Sequence, residues 1–333
     1  MFIVTDNGTS ETKYSDGTVA IGKDRNITVT TGTVNVEDIY EDDVVSGVTT
    51  YRGVDKGLNY GAGNYDPENG AYIDCFNFTI DAGATLTNGT AMGTGAVTYN
   101  GIVFIACLNE YINNGAISLA SKGYSGGARQ VSSGRAGTGL GAGGGQGGER
   151  SDTGTKGIGG SAYGSTDIPL TTWSHLYGSG GGGGCRGTGG SPVSYTCSSG
   201  AGGGGVSAGT NGVDSFGPLA LPIGNPPGNG AVGGGAIRIY ARNITTDSGT
   251  MTVNGATGLS NYDDVHAHGG GGSGGTIYLE STYASVIGTN QMTSTGGAGG
   301  GGDAFRAAGG AGSNGRIHIE GTYTGTTSSP AVA

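Results

Sequence analysis

A strand-like motif repeats at a fixed spacing in the carboxyl-terminal part of the chain. The strings GAIRIYARN, GTIYLESTY and GRIHIEGTY begin at Gly235, Gly275 and Gly315, so successive copies are 40 residues apart. A constant period is typical of supersecondary units that stack on one another. The repeat therefore predicts a stacked β-architecture.

Within each copy, two aliphatic residues flank one residue of another kind. The aliphatic residues are Ile237, Ile239, Ile277, Leu279, Ile317 and Ile319. Because alternate side chains of a strand point to opposite faces, they are expected to line one interior column. Arg238, Tyr278 and His318 would then stack on an outer face. A further copy starts at Gly101, with Val103 and Ile105 in the aliphatic positions.

Glycine is the second constraint, since 78 of the 333 residues are glycine. Glycine weakens a helix interior, which argues against a compact helical enzyme. Interleaved β-branched runs such as Ile27–Thr30 argue against a disordered linker. The absence of a strict Gly-X-Y period excludes collagen.

The longest glycine-rich stretch runs from Gly123 to Gly235 and allows two interpretations. It is either a set of mobile surface loops or a set of extended polyproline-II-type strands. In the second case the strands pack side by side, because a missing side chain lets two backbones approach closely enough to hydrogen bond.

These patterns predict an all-β chain whose body is a stacked β-solenoid or a sandwich with long glycine-rich excursions. If the excursions are packed extended strands, they adopt a polyglycine II arrangement. The predicted divisions are an N-terminal β module for attachment, solenoid strands, a glycine-rich excursion, the 40-residue repeats and a tail. Their bounds are 1–70, 71–122, 123–234, 235–325 and 326–333.

Two stretches carry a resemblance to a known group of proteins. The run Gly269–Leu279 and the strand-like segment Asp81–Leu86 resemble the glycine-rich β-solenoid proteins of phage tails and tail fibres. The glycine clusters are also similar to the distal tail-fibre adhesins of T-even-like phages, whose glycine motifs form a polyglycine II sandwich. The resemblance covers about residues 70 to 321. The chain departs from those adhesins in its 40-residue repeat and its longer N-terminal part.

The resemblance implies a virion structural or receptor-binding protein of a tail tip or fibre that recognises a host surface glycan or protein. Its partners would be that receptor and other tail proteins, and the chain would be a homo-oligomer, such as a trimer. The alternatives are a secreted bacterial or archaeal surface protein or filament subunit, and a polysaccharide-degrading tailspike.

The net charge and the short motifs of the sequence narrow the candidate functions. The formal net charge of −10 and the absence of a basic run argue against nucleic acid as a partner. The sequence as given predicts no signal peptide and no membrane span. Adjacent acids, Asp42 with Asp43 and Asp263 with Asp264, usually point apart, so we expect no glycosidase centre and no enzyme.

Aromatic residues in the excursion are the candidate receptor contacts. Trp173, His175 and Tyr177 alternate, which would place three rings on one face, and Tyr163 and Tyr195 lie in the same stretch. Tyrosine favours exposed contacts with sugars and proteins at low entropic cost. The alternative role of the alternating rings is core packing.

Two smaller sites are also suggested. His266 and His268 would face the same side of an extended segment beside Asp264, a ligand set that suits a transition metal, with a solvated polar loop as the alternative. No other cofactor is expected.

Cys185 and Cys197 bracket a short loop and would form a disulfide outside the cell. Cys75 and Cys107 lie in β-like runs and are expected to be small buried hydrophobes.

Overall fold

The structure is a computed structural model. It describes residues 12–13, 19–20, 26–36, 39, 48–51, 73–88, 101–129, 134–151, 157–162, 177–184, 196–215, 228–260, 268–301 and 308–325. These residues are mostly strand, with almost no helix, and the strands are numbered β1 to β19 in chain order. None of the described residues forms a helix with the length and apolar character needed to cross a membrane.

The larger parallel sheet has eight strands in the order β18-β16-β14-β8-β6-β3-β5, with β19 also paired to β16. Every pair is parallel except β3 with β5. The strands are β3 (Asn26–Val29), β5 (Val48–Tyr51), β6 (Ile73–Ile80), β8 (Ile102–Asn113), β14 (Ala236–Thr246), β16 (Thr276–Ile287), β18 (Arg316–Glu320) and β19 (Tyr323–Thr324).

The smaller parallel sheet has five strands in the order β17-β15-β9-β7-β4. They are β4 (Gly32–Asn35), β7 (Ala84–Thr87), β9 (Ala116–Ser118), β15 (Thr250–Thr252) and β17 (Met292–Thr293). The other strands form a hairpin and a small antiparallel sheet: β1 (Thr12–Lys13), β2 (Val19–Ala20), β10 (Gly134–Arg135), β11 (Glu149–Ser151), β12 (Thr196–Ser198) and β13 (Asp214–Ser215).

The two parallel sheets are built from the same succession of strands. A strand of the larger sheet is followed, after a short turn, by a strand of the smaller sheet, as in β8 and β9. At that turn the amide of Asn114 donates to the carbonyl of Ile80, 2.8 Å away on the previous unit. Residues of both sheets contribute to one hydrophobic core.

The predicted register of the repeats is confirmed. Ile237 pairs with Val103 on one side and with Ile277 on the other, and Ile277 pairs with Ile317. All four side chains are fully buried. In the smaller sheet Leu86, Ile117, Met251 and Met292 form the corresponding buried row.

The predicted exposure of the opposite face is wrong. Arg238 pairs in register with Phe104 and Tyr278, but Arg238 and Tyr278 are each only 1% exposed. In the same row, the side chain of His318 on β18 is 29% exposed. The face that sequence alternation assigned to solvent is therefore covered over most of its length.

The predicted stacked β-solenoid or sandwich-like body is also wrong. The described strands form two parallel sheets, and the described residues do not close into a solenoid coil. The physical reason is the course of the chain after each strand of the smaller sheet. From β9, β15 and β17 the chain runs out through glycine-rich segments before it returns to the larger sheet.

Two N-terminal strands, β3 and β4, belong to the two parallel sheets. β3 pairs in parallel with β6, and β4 pairs in parallel with β7. Strands β3 and β4, which lie within the predicted N-terminal module, are therefore each paired with a strand from residues 71–122.

The first prediction concerns β16. Ile277→Asp places an unpaired charge in the core and should lower the free energy of unfolding by several kcal/mol. Tyr278→Ser removes a buried ring and should cost about 3 kcal/mol. Tyr283, on the same strand, is 70% exposed, so Tyr283→Ser should cost less than about 1 kcal/mol. Chemical denaturation of the three variants measures this. Equal losses for Tyr278→Ser and Tyr283→Ser would contradict the burial of the second face.

Tyr111 on β8 is a polar group inside the core. Its ring stacks on Phe78 with centroids 6.0 Å apart, and its hydroxyl has no hydrogen-bond partner among the described residues. Burial raises the pKa of Tyr111 well above its usual range, and the nearby Cys107 and Cys75 add to the rise. The folded protein therefore holds the phenol neutral at pH values where an unfolded chain would ionise it.

The second prediction follows from that raised pKa. Below the unfolded tyrosine pKa of about 10, both states are protonated and no stability is lost. Above it only the unfolded state releases the proton, so Tyr111 lowers stability by about 1.4 kcal/mol per pH unit until its folded pKa is reached. Tyr111→Phe should remove this contribution and be neutral or mildly stabilising at pH 7. Unfolding free energies measured from pH 7 to 11 test it, with Tyr283→Phe, which changes an exposed ring, as the control. An unchanged slope in Tyr111→Phe would contradict the prediction.

Candidate functional site

Twelve extended segments, rich in glycine, pack side by side next to the two parallel sheets. We call them the glycine lattice. The segments are 123–129, 136–140, 144–148, 157–162, 177–184, 199–205, 209–213, 228–234, 254–260, 268–274, 295–301 and 308–314. The lattice thus joins the predicted excursion to the glycine runs of the 40-residue repeats.

Hydrogen bonds in the lattice repeat every third residue. The amides of Gly178, Gly181 and Gly184 all donate to segment 228–234, over 2.8 to 2.9 Å. The amides of Gly180 and Gly183 donate instead to segment 136–140. Three residues per turn is the repeat of an extended polyproline-II-type helix, whose backbone groups point sideways and form no bonds within the segment. Each segment therefore bonds to several neighbours at once.

Segment 177–184 lies at the centre of this network. It exchanges backbone hydrogen bonds with six other segments, which are 123–129, 136–140, 144–148, 199–205, 228–234 and 268–274. All of its residues are buried. Most of its amides and carbonyls pair with the backbone of these neighbours, and the amide of Ser179 donates to the Ser273 hydroxyl over 2.8 Å.

Close approach of the backbones explains why glycine is required. A Cβ atom placed on Gly181 would collide with the carbonyl group of Gly270. That obstacle is backbone, which cannot move aside as a side chain can. Positions at which two backbones approach this closely therefore accept glycine and exclude residues with a side chain.

The lattice has two ends, one that leads into the larger parallel sheet and one that points away from it. At the sheet-facing end, segments 228–234, 268–274 and 308–314 lead into β14, β16 and β18. The opposite end, which we call the distal end, is held by bonds such as Gly184 to Gly228 at 2.9 Å and Gly200 to His268 at 3.0 Å. The strands β10 to β13 form their antiparallel sheet there.

Six linkers begin and finish at the distal end. In each case the described residues on both sides of the linker belong to that end. The linkers are 130–133, 152–156, 185–195, 216–227, 261–267 and 302–307, all outside the described residues. The linker 163–176 differs, because Ser161 lies beside Gly204 and Tyr177 precedes the bond from Gly178 to Gly234, both towards the sheet-facing end.

The described side chains near the distal end include both polar and apolar groups. Arg135 forms an ion pair with Glu149 at 3.0 Å and donates to Gln146 at 3.0 Å. Ile158, Val213 and Leu259 are each at least half exposed. Such a surface offers both hydrogen bonds and apolar contact to a partner.

Tyr177 is the only predicted receptor contact within the described residues. It is 1% exposed, and its ring packs edge-on against Tyr124 with centroids 5.8 Å apart. Its placement matches the core-packing alternative and removes it from any exposed binding face. Trp173, His175, Tyr163 and Tyr195 lie outside the described residues.

The predicted metal and disulfide residues are only partly described. His268 is 1% exposed in a lattice segment, where its carbonyl accepts the amide of Gly200. His266, Asp264 and Cys185 lie outside the described residues, and Cys197 is described only by its backbone pairing in β12. Within the described ranges, no three His, Cys, Asp or Glu side chains group in a way that could hold a metal ion.

A polar ladder on the larger sheet was not anticipated as a buried feature. The guanidinium of Arg238 lies 4.9 Å from the Phe104 ring centroid and donates to the Tyr240 hydroxyl. One strand further on, the Tyr278 hydroxyl donates to Glu280 over 2.9 Å. The period-two pattern of RIY and YLE could have revealed these i to i+2 pairs.

The ladder ends at a partly exposed pair of polar side chains. The His318 ring stacks on Tyr278 with centroids 5.2 Å apart and an interplanar angle of 1°. His318 and Glu320 pair at 3.0 Å, with side chains 29% and 53% exposed. The edge of the larger sheet at β18 therefore presents charge rather than an apolar surface.

Comparison of the chain with protein-family models, with curated proteins and with solved structures gives no match.

The third prediction tests the lattice. Gly181→Ala should lower the free energy of unfolding by about 1–3 kcal/mol or more, because the methyl group has to displace the backbone of Gly270. Gly301→Ala is the matched control, since among the described residues its Cβ would meet only Ser260 Oγ, at 3.7 Å. It should change stability by less than about 0.5 kcal/mol. Chemical denaturation measures the free energy of unfolding of both variants. Equal values for the two variants would contradict the close backbone packing of the lattice.

Proposed function

We propose that the chain is a structural and receptor-binding protein of a phage tail tip or fibre, located on the virion, that recognises a host surface glycan or protein. The observation that supports this most is that the described residues on both sides of six linkers lie at the distal end of the glycine lattice. In this proposal the chain binds and does not catalyse, and nucleic acid is not its partner.

The physical argument is the separation of scaffold and recognition. The interior of the lattice is held by backbone bonds and leaves little room for side chains, so the sequence of its buried positions has little freedom to vary. Linkers that depart from a rigid scaffold can change sequence without disturbing it, and binding residues are commonly placed on such segments. The distal linkers include aromatic and apolar residues such as Tyr195, Phe216 and Leu221.

The opposite end suits attachment. The two parallel sheets lie beyond the sheet-facing end, with β3 and β4 towards one edge and β18 at the other. We propose that the N-terminal part joins the chain to other tail proteins and that the chain is a homo-oligomer, for which a trimer is one candidate. The sequence resemblance to glycine-rich phage tail proteins motivates this arrangement.

A second candidate function is that of a bacterial or archaeal surface protein or filament subunit. The observation that favours it is the edge of the larger sheet, where no described strand pairs with the outer side of β18. An unpaired edge can accept a strand from another chain. Under this hypothesis the purified chain should form linear assemblies as its concentration rises.

The fourth prediction separates the two ends of the lattice. In one variant, linkers 185–195 and 216–227 are replaced by Gly/Ser segments of equal length, and in the matched control, linker 163–176 is replaced in the same way. The labelled full chain and both variants are applied to a glycan array and to a panel of intact bacterial cells. The distal variant should bind at least about tenfold more weakly, whereas the control should bind as the parent does.

Three outcomes would overturn parts of the proposal. Loss of binding in the control alone would move the receptor surface to the linker that carries Trp173. Retained binding in both variants would remove both linker groups from recognition. A parent chain that binds no glycan and no cell, but forms filaments in light scattering and electron microscopy, would replace receptor binding with the second candidate. Thermal unfolding checks that the variants are folded.

A further inference from the structure

Cys75 and Cys107 are directly opposed in the larger sheet. Cys75 on β6 and Cys107 on β8 are register partners in a parallel pair. Both are fully buried, and their Sγ atoms are 3.2 Å apart. They lie 32 positions apart in the sequence, so the fold brings them together.

We propose that Cys75 and Cys107 are a site of disulfide formation, which closes when the chain folds in an oxidising medium. Neighbouring strands of a sheet lie about 4.7–4.9 Å apart, within the range of Cα separations that a disulfide spans. The bond itself requires the sulfur atoms to approach to about 2.05 Å. From 3.2 Å, this is a side-chain adjustment and leaves the pairing of the two strands intact.

The surroundings determine when the bond forms. The site lies in the hydrophobic core, and Tyr111 is close enough for both thiols to contribute to its raised pKa. Both cysteine side chains are fully buried in the folded chain. Oxidant therefore reaches them before the sheets close, and the folded sheet afterwards shields the bond from reductant.

The reaction balances with a low-molecular-weight disulfide such as glutathione disulfide as the oxidant. One cysteine thiolate attacks a glutathione sulfur, forms a mixed disulfide and releases one glutathione. The second cysteine thiolate then attacks the protein sulfur of the mixed disulfide and releases the other glutathione. Two protein thiols lose two electrons and two protons, which end on two molecules of reduced glutathione.

The bond would act on the stack of parallel strands. It would join β6 covalently to β8 and close the loop that contains β7 between them. Closing a loop restricts the unfolded chain, so the oxidised protein is expected to be more stable than the reduced one. The pair is also the only one among the described cysteine side chains, because Cys185 and Cys197 have no described side chains.

Peptide mapping tests the proposal on the full chain. The protein is denatured and reduced, then refolded in a buffer of reduced and oxidised glutathione, and its remaining thiols are alkylated under denaturing conditions. Mass spectrometry should find a peptide pair that links Cys75 to Cys107 in most molecules. Its melting temperature should exceed that of protein refolded under reductant. Quantitative alkylation of both cysteines, or pairing of either one mainly with Cys185 or Cys197, would overturn the proposal.

Two variants complete the design. Cys185→Ser with Cys197→Ser leaves the proposed pair as the only cysteines and should keep the linked peptide. Cys75→Ser should leave Cys107 alkylated and remove the difference in melting temperature between oxidised and reduced protein. A difference that persists in Cys75→Ser would assign the stabilisation to another bond. If Cys75→Ser does not fold, the peptide map of the parent chain still decides.

Discussion

The need to pair every buried backbone amide and carbonyl governs this structure. In the parallel sheets the pairing is met by strands whose side chains also form the core. In the glycine lattice the pairing is met by segments that each donate to several neighbours. Every third amide of a segment donates to the same neighbour, as those of Gly178, Gly181 and Gly184 do to segment 228–234. A side chain at most of these positions would separate the backbones and break the pairing, so the glycine content follows directly from this constraint.

The parallel, in-register arrangement has a second consequence. It places equivalent residues of successive units directly beside each other, so that one choice of residue recurs as a row. The row of Ile237, Ile277 and Ile317 fills the core with branched aliphatic groups. The neighbouring row passes from Phe104 through Arg238 to Tyr278, where a buried cation lies among aromatic rings and is bonded to the Tyr240 hydroxyl. A buried charge is tolerated there because ring faces and a hydroxyl compensate for part of its lost hydration.

The sequence predicted the strand register well and the environment of the strands less well. The 40-residue period identified Ile237, Ile277 and Ile317 as partners, because repeated patterns reveal repeated contacts. It could not show that Arg238 and Tyr278 are buried, since period-two alternation identifies two faces but not what covers each. It also could not order the glycine segments, because a residue without a side chain carries no pattern that specifies its neighbour. Tyr177 shows the same limit, as its spacing fitted an exposed face and a packed one equally.

The course of the chain connects the two kinds of structure. After each of β9, β15 and β17 it leaves the smaller sheet along a lattice segment, and it returns along another before β14, β16 and β18. Each outward and return pair of segments adds backbone partners for the pairs beside it. The described residues on both sides of six linkers lie at the end away from the sheets. The bonds at Gly181 and Gly270 join backbone groups within the described segments, so they do not involve the side chains of those linkers. The residues that hold the lattice together are therefore distinct from the linker residues to which we assign recognition.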